Sequence, residues 1–450
     1  MIETKKRNYI DTVDMKKLFV PEQFMVVKQK HPLLEQWPTD NGEPLVSVGI
    51  MECDEVRVSF EGAYHVVETN ERLDNQQVTF SNIDKELNII SLSDSGVFSI
   101  EDVTIGIGFH WQRQERQAFR GSLCLLNHNG KIVVINRIKV EDYLESVISS
   151  EMNANAGIEL LKAHAIMSRS WLLRVNDYRK TIDACYEHED EVLRWYERDA
   201  HELFDVCADD HCQRYQGVTR IVNENAVKAV AETCGMVLTY DGEICDARFS
   251  KCCGGRTERF SSAWDDRDYD YLQPVDCEFC NTDDKEVLSQ VLNDYDLETA
   301  DFHDWEVNYT ADELSELVKR KSGIDFGTIT ALEPLERGTS GRITKLRIVG
   351  TKRTVVVGKE LEIRKWLSET HLYSSNFEVT TTTKPTAEKS VQTDFSNYQL
   401  SIVNYQLKGR GWGHGVGLCQ IGAAVMASKG YTYEQILEYY FKGSKIEKLY

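Results

Sequence analysis

The sequence predicts a β-rich α+β protein, on three observations. Between Pro44 and about Val140, runs such as VSVGI, VRVSF, LNIISL, SLCLLN and KIVVINRI alternate β-branched with polar residues between turn signals. From Ile158 to Tyr178, Leu160, Leu161, Ala165, Ile166 and Leu172 recur at helical spacing. A second strand pattern, ITKLRIVG and RTVVVG, then follows a helical stretch at 311–321.

Composition bounds the function classes. The chain has 450 residues, 41% hydrophobic and 28% charged, enough for two or three packed units of ordinary size. Its formal charge of -21 argues against a nucleic-acid partner, because such proteins concentrate Lys and Arg to displace counterions. The start, MIETKKRNYIDTVDMKKLF, shows no apolar export segment, so the sequence by itself reads as cytoplasmic. No apolar run approaches the roughly 20 residues of a transmembrane segment. Twelve cysteines are too few for a disulfide scaffold, and several fall in tight pairs, as metal ligands or reduced thiols do.

In chain order, residues 1–44 form a lead segment and 45–140 the first β-rich part. Residues 141–180 hold a short helix at 140–149, the loop EMNANAG and the long helix. Residues 181–200 are a charged insertion, helical in composition and solvated in character, and 201–280 are rich in Cys and His. The second β-rich part spans 281–379. A linker-like insertion at 380–397 contains TTTTKPTAEKSVQTD, which reads as an exposed excursion. The C-terminal part, 398–450, contains IVNYQLKG, the run GRGWGHGVG and a final helical region.

Four groups of residues could carry chemistry. In Gly409–Gly417 every second residue is glycine; a phosphate loop is excluded by the spacing. If extended, the run would expose one bare face and one bearing Arg410, Trp412, His414 and Val416; otherwise the glycines serve turns or close strand packing. Glu151 precedes the long helix, on which Lys162 and Arg169 share a face: an acid facing two cations, or an ordinary ion-pair network. His201, Cys207, His211 and Cys212 offer two nitrogen and two sulfur donors within twelve residues, suited to a closed structural zinc site, although adjacent ligands are awkward. Finally, Cys252, Cys253, Cys277 and Cys280 leave open a second zinc site, a disulfide or buried apolar thiols.

The segment VEDYLESVISSEMNANAGIELLKAHAIMSRSWLL resembles that of the stage II sporulation protein D and LytB family, in which a loop glutamate precedes a helix. GRGWGHGVGLCQIGAAVMASKGYTYEQILEYYFKGSKI is similar to the C-terminal signature of that family, and FSKCCGGRTE, SGRITKLRIVG and LYSSNFEV match between them in order. Cys419, where serine is usual, and Cys252 depart from the pattern.

The resemblance implies a lytic transglycosylase that cleaves the MurNAc–GlcNAc bond of denuded peptidoglycan strands and leaves 1,6-anhydro-MurNAc ends. Glu151 falls at the catalytic position. Lys162 and Arg169 match cations of the following helix, and Ser250, Trp412, His414, Gln420, Tyr439 and Tyr440 fall where a glycan-binding groove is expected. The His201–Cys212 stretch is similar to a zinc-binding segment of some members; no organic cofactor is implied. The alternative is a non-catalytic glycan-binding enhancer of a cell-wall amidase. Either role implies the periplasm or cell envelope, at odds with the cytoplasmic reading of the start.

Overall fold

A computed structural model describes residues 31–93, 95–107, 112–153, 156–174, 185–188, 190–196, 201–209, 211–221, 224–292, 303–385 and 401–450. Within them the protein is β-rich with interspersed helices, as the strand and helix periods predict. Buried apolar side chains gather into two large cores and one small cluster.

The first core is enclosed by two antiparallel systems and a helical layer. One sheet runs in the order Thr39–Asp40, Glu43–Cys53, Lys131–Lys139, Ser122–His128, Leu87–Ser91, Ala63–Val66, Arg72–Asp74. The other runs Gln77–Ser81, Glu55–Glu61, Val97–Ile105, Arg113–Arg120. Ile132 to Asn136 of the central strand are all buried, as befits a strand covered on both faces. That strand leads directly into helix α1 (Val140–Glu151), whose first turn carries Glu141 and Asp142, the favourable charge sign for a helix start.

Helix α2 (Ile158–Leu173) is buried all round from Leu160 to Leu173 except at Lys162, so it is the central helix of this core. It stops five residues short of Tyr178: Arg174 takes ψ 117, and 175–178 lie outside the described residues. Arg169 has no exposed surface. It forms a two-pronged pair with Glu141 at 2.9 and 2.6 Å and donates to the Met236 carbonyl at 2.9 Å. Glu141 also accepts from the Tyr450 hydroxyl at 2.5 Å, so α1, α2 and the C-terminal residue converge on one carboxylate.

The second core is built from residues 303–410 together with Val192. A sheet ordered Cys185–His188, Glu191–Arg194, Thr354–Gly358, Ile343–Gly350, Ile329–Arg337 packs with a second one, Asp304–Thr310, Ser401–Arg410, Phe377–Pro385. Helix Ala311–Ser322 begins with a reciprocal Thr310–Glu313 capping box and ends on left-handed Gly323.

Two expectations need correction here. The charged insertion holds a hairpin rather than a helix, Cys185–His188 with Glu191–Arg194, whose second strand pairs in parallel with Thr354–Gly358. Val192 is buried while Glu187 is exposed, so a partner strand supplied by the fold overrides the helical composition. The first part of the linker-like stretch, Thr380–Pro385, is strand, paired with Ser401–Asn404 and Tyr405–Gln406; 386–400 lie outside the described residues.

Removing one partner of the Arg169–Glu141 pair strands a buried charge. Arg169→Ala is expected to cost about 3–5 kcal/mol in chemical denaturation. Arg169→Met combined with Glu141→Leu should recover much of that loss.

Candidate functional site

A cleft of about 650 Å³ opens between the two cores. The first core contributes Glu151, Trp171, Arg214, Arg248 and Ser250; the second contributes Tyr309, Glu360, Arg364 and Tyr373; Trp412 and His414 of the glycine run join them.

Glu151 is the last residue of α1, not a loop residue, and only 9% of its surface is exposed. Met152 turns extended immediately after it, so the carboxylate ends the helix at the cleft wall. Its Oε1 accepts the backbone N–H of Arg214 at 3.1 Å. That amide belongs to the segment that follows the Cys/His stretch, so the loop carrying those donors also positions the carboxylate.

His201, Cys207, His211 and Cys212 do converge: their ligand atoms all lie within 4.8 Å of one another. Cys212 Sγ is 3.4 Å from His201 Nε2 and 3.5 Å from His211 Nδ1, and Cys207 Sγ is 4.0 Å from His211 Nδ1. Adjacent His211 and Cys212 therefore both point inward. The loop is anchored by the short parallel pairing of Val206–Cys207 with Val48 and Gly49. Cys212, and with it the two imidazoles, holds the Cys207 thiol well below its ordinary range despite burial. Four donors of this kind could hold a metal ion.

The glycine run does not form an extended strand with a bare face. Gly411, Gly413, Gly415 and Gly417 all take positive φ, between 73° and 91°, a region that favours glycine. Close packing adds a steric bar at several of the glycines. A Cβ on Gly417 would lie 2.1 Å from the Arg248 carbonyl oxygen, and one on Gly415 would lie 2.5 Å from the Arg342 guanidinium. The turn-and-close-packing reading is the one the structure realises, and its effect is to direct Trp412 and His414 into the cleft.

Burial, and then the charges of Arg248 and Arg342, push the His414 imidazole well below its ordinary pKa. Its Nδ1 accepts the Val416 N–H at 3.0 Å, and its ring meets Trp264 edge-on at 4.8 Å. The Arg248 guanidinium sits 4.1 Å over the Trp264 ring while paired with Asp246. Trp412 packs against Tyr373 at 5.4 Å. Ser250 also lines the cleft, and its buried Oγ has no hydrogen-bond partner among the described residues. Gln420 borders the cleft and bonds His164 at 3.0 Å; burial pushes that imidazole down to about 3, so it is neutral.

Lys162 and Arg169 are not brought to Glu151, and neither lines the cleft. Lys162 pairs with Glu232 at 2.7 Å, and Arg169 is committed to Glu141. Their shared helical face is real, but it meets structural carboxylates. Tyr439 and Tyr440 also lie elsewhere: Tyr439 donates to the Asp276 carbonyl, and buried Tyr440 lies 3.4 Å from Cys277 Sγ. The cations that do line the cleft are Arg214, Arg248, Lys251 and Arg364. Sequence periodicity gave no sign of them: Arg214, Arg248 and Lys251 stand outside regular elements and Arg364 on the short helix Glu360–Trp366; Arg214 alone carries a local signal, two residues after Cys212. Tyr196, at the end of the insertion hairpin, lines the cleft and hydrogen-bonds Glu362 at 2.6 Å.

Comparison with known proteins bears on this geometry. Residues 258–417, which contain most of the second core, match a domain of unknown function. The chain is 27% identical over 329 residues to an uncharacterized protein of Brachyspira hyodysenteriae, covering 73% of this chain and 72% of that one. It is 24% identical over 317 residues to stage II sporulation protein D of Bacillus subtilis, covering 70% and 76%. Against the amidase enhancer of the same organism it is 25% identical over 312 residues, 67% of this chain but 40% of the enhancer. Residues 128–240, which hold α1, Glu151, α2 and the Cys/His loop, match the model described as stage II sporulation protein: the chain carries a domain of that family.

Proposed function

We propose that this protein acts on the bacterial cell wall as a lytic transglycosylase of denuded glycan strands, with Glu151 as the acid and then the base. The observation that carries the reading is a nearly buried carboxylate, braced by the Arg214 amide, at the wall of a cleft lined by Trp171, Tyr309, Tyr373 and Trp412; the other cleft glutamate, Glu360, is paired with Arg364. Aromatic faces suit sugar rings, and the cleft is long enough in volume for an oligosaccharide rather than a single small group.

The protonated Glu151 gives its proton to the glycosidic oxygen as the muramic C1–O bond breaks. The resulting carboxylate takes the proton of the C6 hydroxyl as O6 bonds to C1, which closes the 1,6-anhydro ring and restores the acid. One carboxyl group serves both steps, in contrast to the paired carboxylates of most glycoside hydrolases. His414, kept neutral, is suited to hydrogen bonding rather than to carrying charge. The free lactyl carboxylate of a stripped muramic acid calls for a cation. Lys162 and Arg169 do not line the cleft; Arg214 does, and its own backbone holds Glu151, which makes it the candidate.

A zinc ion held by His201, Cys207, His211 and Cys212 fits the donor set, since zinc–ligand bonds of about 2.0–2.3 Å require donor separations close to those found here. All four positions would be filled by protein, so its role is to fix the loop that leads to Arg214. The similarity to an amidase enhancer supports a second reading, glycan binding that stimulates a cell-wall amidase without cleavage.

Mass spectrometry of denuded strands separates the two: anhydro-muramic ends are expected from the native protein, falling by about 10²–10⁴-fold in Glu151→Gln. Glycan binding without products in both would mean the enhancer. Cys207→Ser should lose one zinc equivalent and lower activity by about 10–100-fold while Glu151 remains intact. Arg214→Ala should erode the preference for denuded over peptide-bearing strands by about 10–100-fold, and an equal loss on both substrates would remove Arg214 from lactyl recognition.

A further inference from the structure

Outside the cleft and the His/Cys loop, four more thiols meet. The Sγ atoms of Cys253, Cys277, Cys280 and Cys419 all lie within 4.8 Å of one another, and each residue is at most 3% exposed. They come from three segments: the turn after Phe249–Ser250, the loop 276–280, and the residue before helix Gln420–Ser428. None is in a disulfide, and the Cys253–Cys280 pair is 3.5 Å apart, far beyond the roughly 2.05 Å of an S–S bond. It is close to the roughly 3.8 Å edge of a sulfur tetrahedron around zinc at about 2.3 Å.

Buried cysteines often pack as small apolar groups. Three features separate this cluster from that case. Polar hydrogens are aimed at the sulfurs: the Cys253 N–H lies 3.3 Å from Cys419 Sγ, the Gly255 N–H 3.2 Å from Cys280 Sγ, and the Tyr440 hydroxyl 3.4 Å from Cys277 Sγ. Such donors are what metal-bound thiolates receive from their surroundings. Cys277 and Cys280 stand at the two-residue spacing of a metal knuckle. The loop 273–284 that carries them has neither helix nor strand of its own, so a metal would supply order that its backbone lacks.

We propose that Cys253, Cys277, Cys280 and Cys419 form a second, closed structural zinc site, with the thiol protons released to solvent on binding. The cluster adjoins the cleft wall. Cys252 exchanges backbone hydrogen bonds with Trp412 at 3.0 and 2.8 Å, so a metal on the neighbouring Cys253 would hold the Trp412 strand in register. Four sulfurs within 4.8 Å are too close for a cubane iron–sulfur cluster, whose ligand sulfurs stand farther apart around an inorganic core.

The test is zinc content of the full chain purified under reducing, chelator-free conditions. Two equivalents are expected in the native protein. In Cys207→Ala with His211→Ala one should survive, and it should be lost when Cys277→Ser and Cys280→Ser are added. X-ray absorption at the zinc edge of the native protein needs no variant to fold: six sulfur to two nitrogen donors are expected over the two sites, against equal numbers for the His/Cys site alone. A native protein with equal sulfur and nitrogen donors and a single equivalent overturns the proposal, as does a disulfide among the four cysteines in unreduced peptide maps. Failure of the His/Cys site alone would instead leave one equivalent with sulfur donors only.

Discussion

The fully buried guanidinium of Arg342 is the constraint on which the cleft depends. It stands where a side chain on Gly415 would be, and donates to the carbonyls of Gly413 at 3.1 Å and Cys253 at 3.0 Å. It also donates to the Ser340 hydroxyl at 3.0 Å, which in turn donates to Glu258 at 2.6 Å. Glu258 is itself 1% exposed and accepts from both the N–H and the hydroxyl of Thr339 and of Ser340. A buried cation and a buried anion are thus joined through one hydroxyl, with the remaining lone pairs and donors satisfied, the condition under which buried charge is tolerated.

That network sits at the junction of the two cores. Arg342 immediately precedes a strand of the second core, while Cys253, five residues before Glu258, belongs to the first. Between them the glycine run must pass with almost no room, which is why its alternate residues take positive φ and carry no side chain. The residues between the glycines are then fixed in direction: Arg410 outward to Asp304, Trp412 and His414 into the cleft, Val416 into the core. The cleft-facing rings and a neutral imidazole are therefore placed by packing outside the cleft.

Glu151 is positioned from the opposite side by different means. A helix end sets its direction, and the amide of Arg214 holds it, just after the loop on which His201, Cys207, His211 and Cys212 converge. Both walls of the cleft thus adjoin a compact cluster of potential metal donors, one behind Glu151 and one behind Trp412. This arrangement separates stability, supplied by α2 and the sheets, from the local geometry of the site.

Much was legible in the sequence because it is local. Strand alternation marked Glu43–Cys53 and Lys131–Lys139, helical period marked α1 and α2, and short spacing marked both the Cys/His donors and Glu151. The resemblance put Glu151 at the catalytic position, in a loop; the structure has it at the end of α1, on the cleft wall. What sequence could not decide is which distant group each charge meets. Lys162 and Arg169 share a face as the period requires, but only the tertiary fold brings Glu232 and Glu141 to that face and Arg214 to the carboxylate. The charged insertion became strand because Thr354–Gly358 offered it an edge, and the alternating glycines became a tight, left-handed passage because Arg342 and Arg248 crowd them. Local periodicity fixes what an element is; long-range packing fixes what its side chains are for.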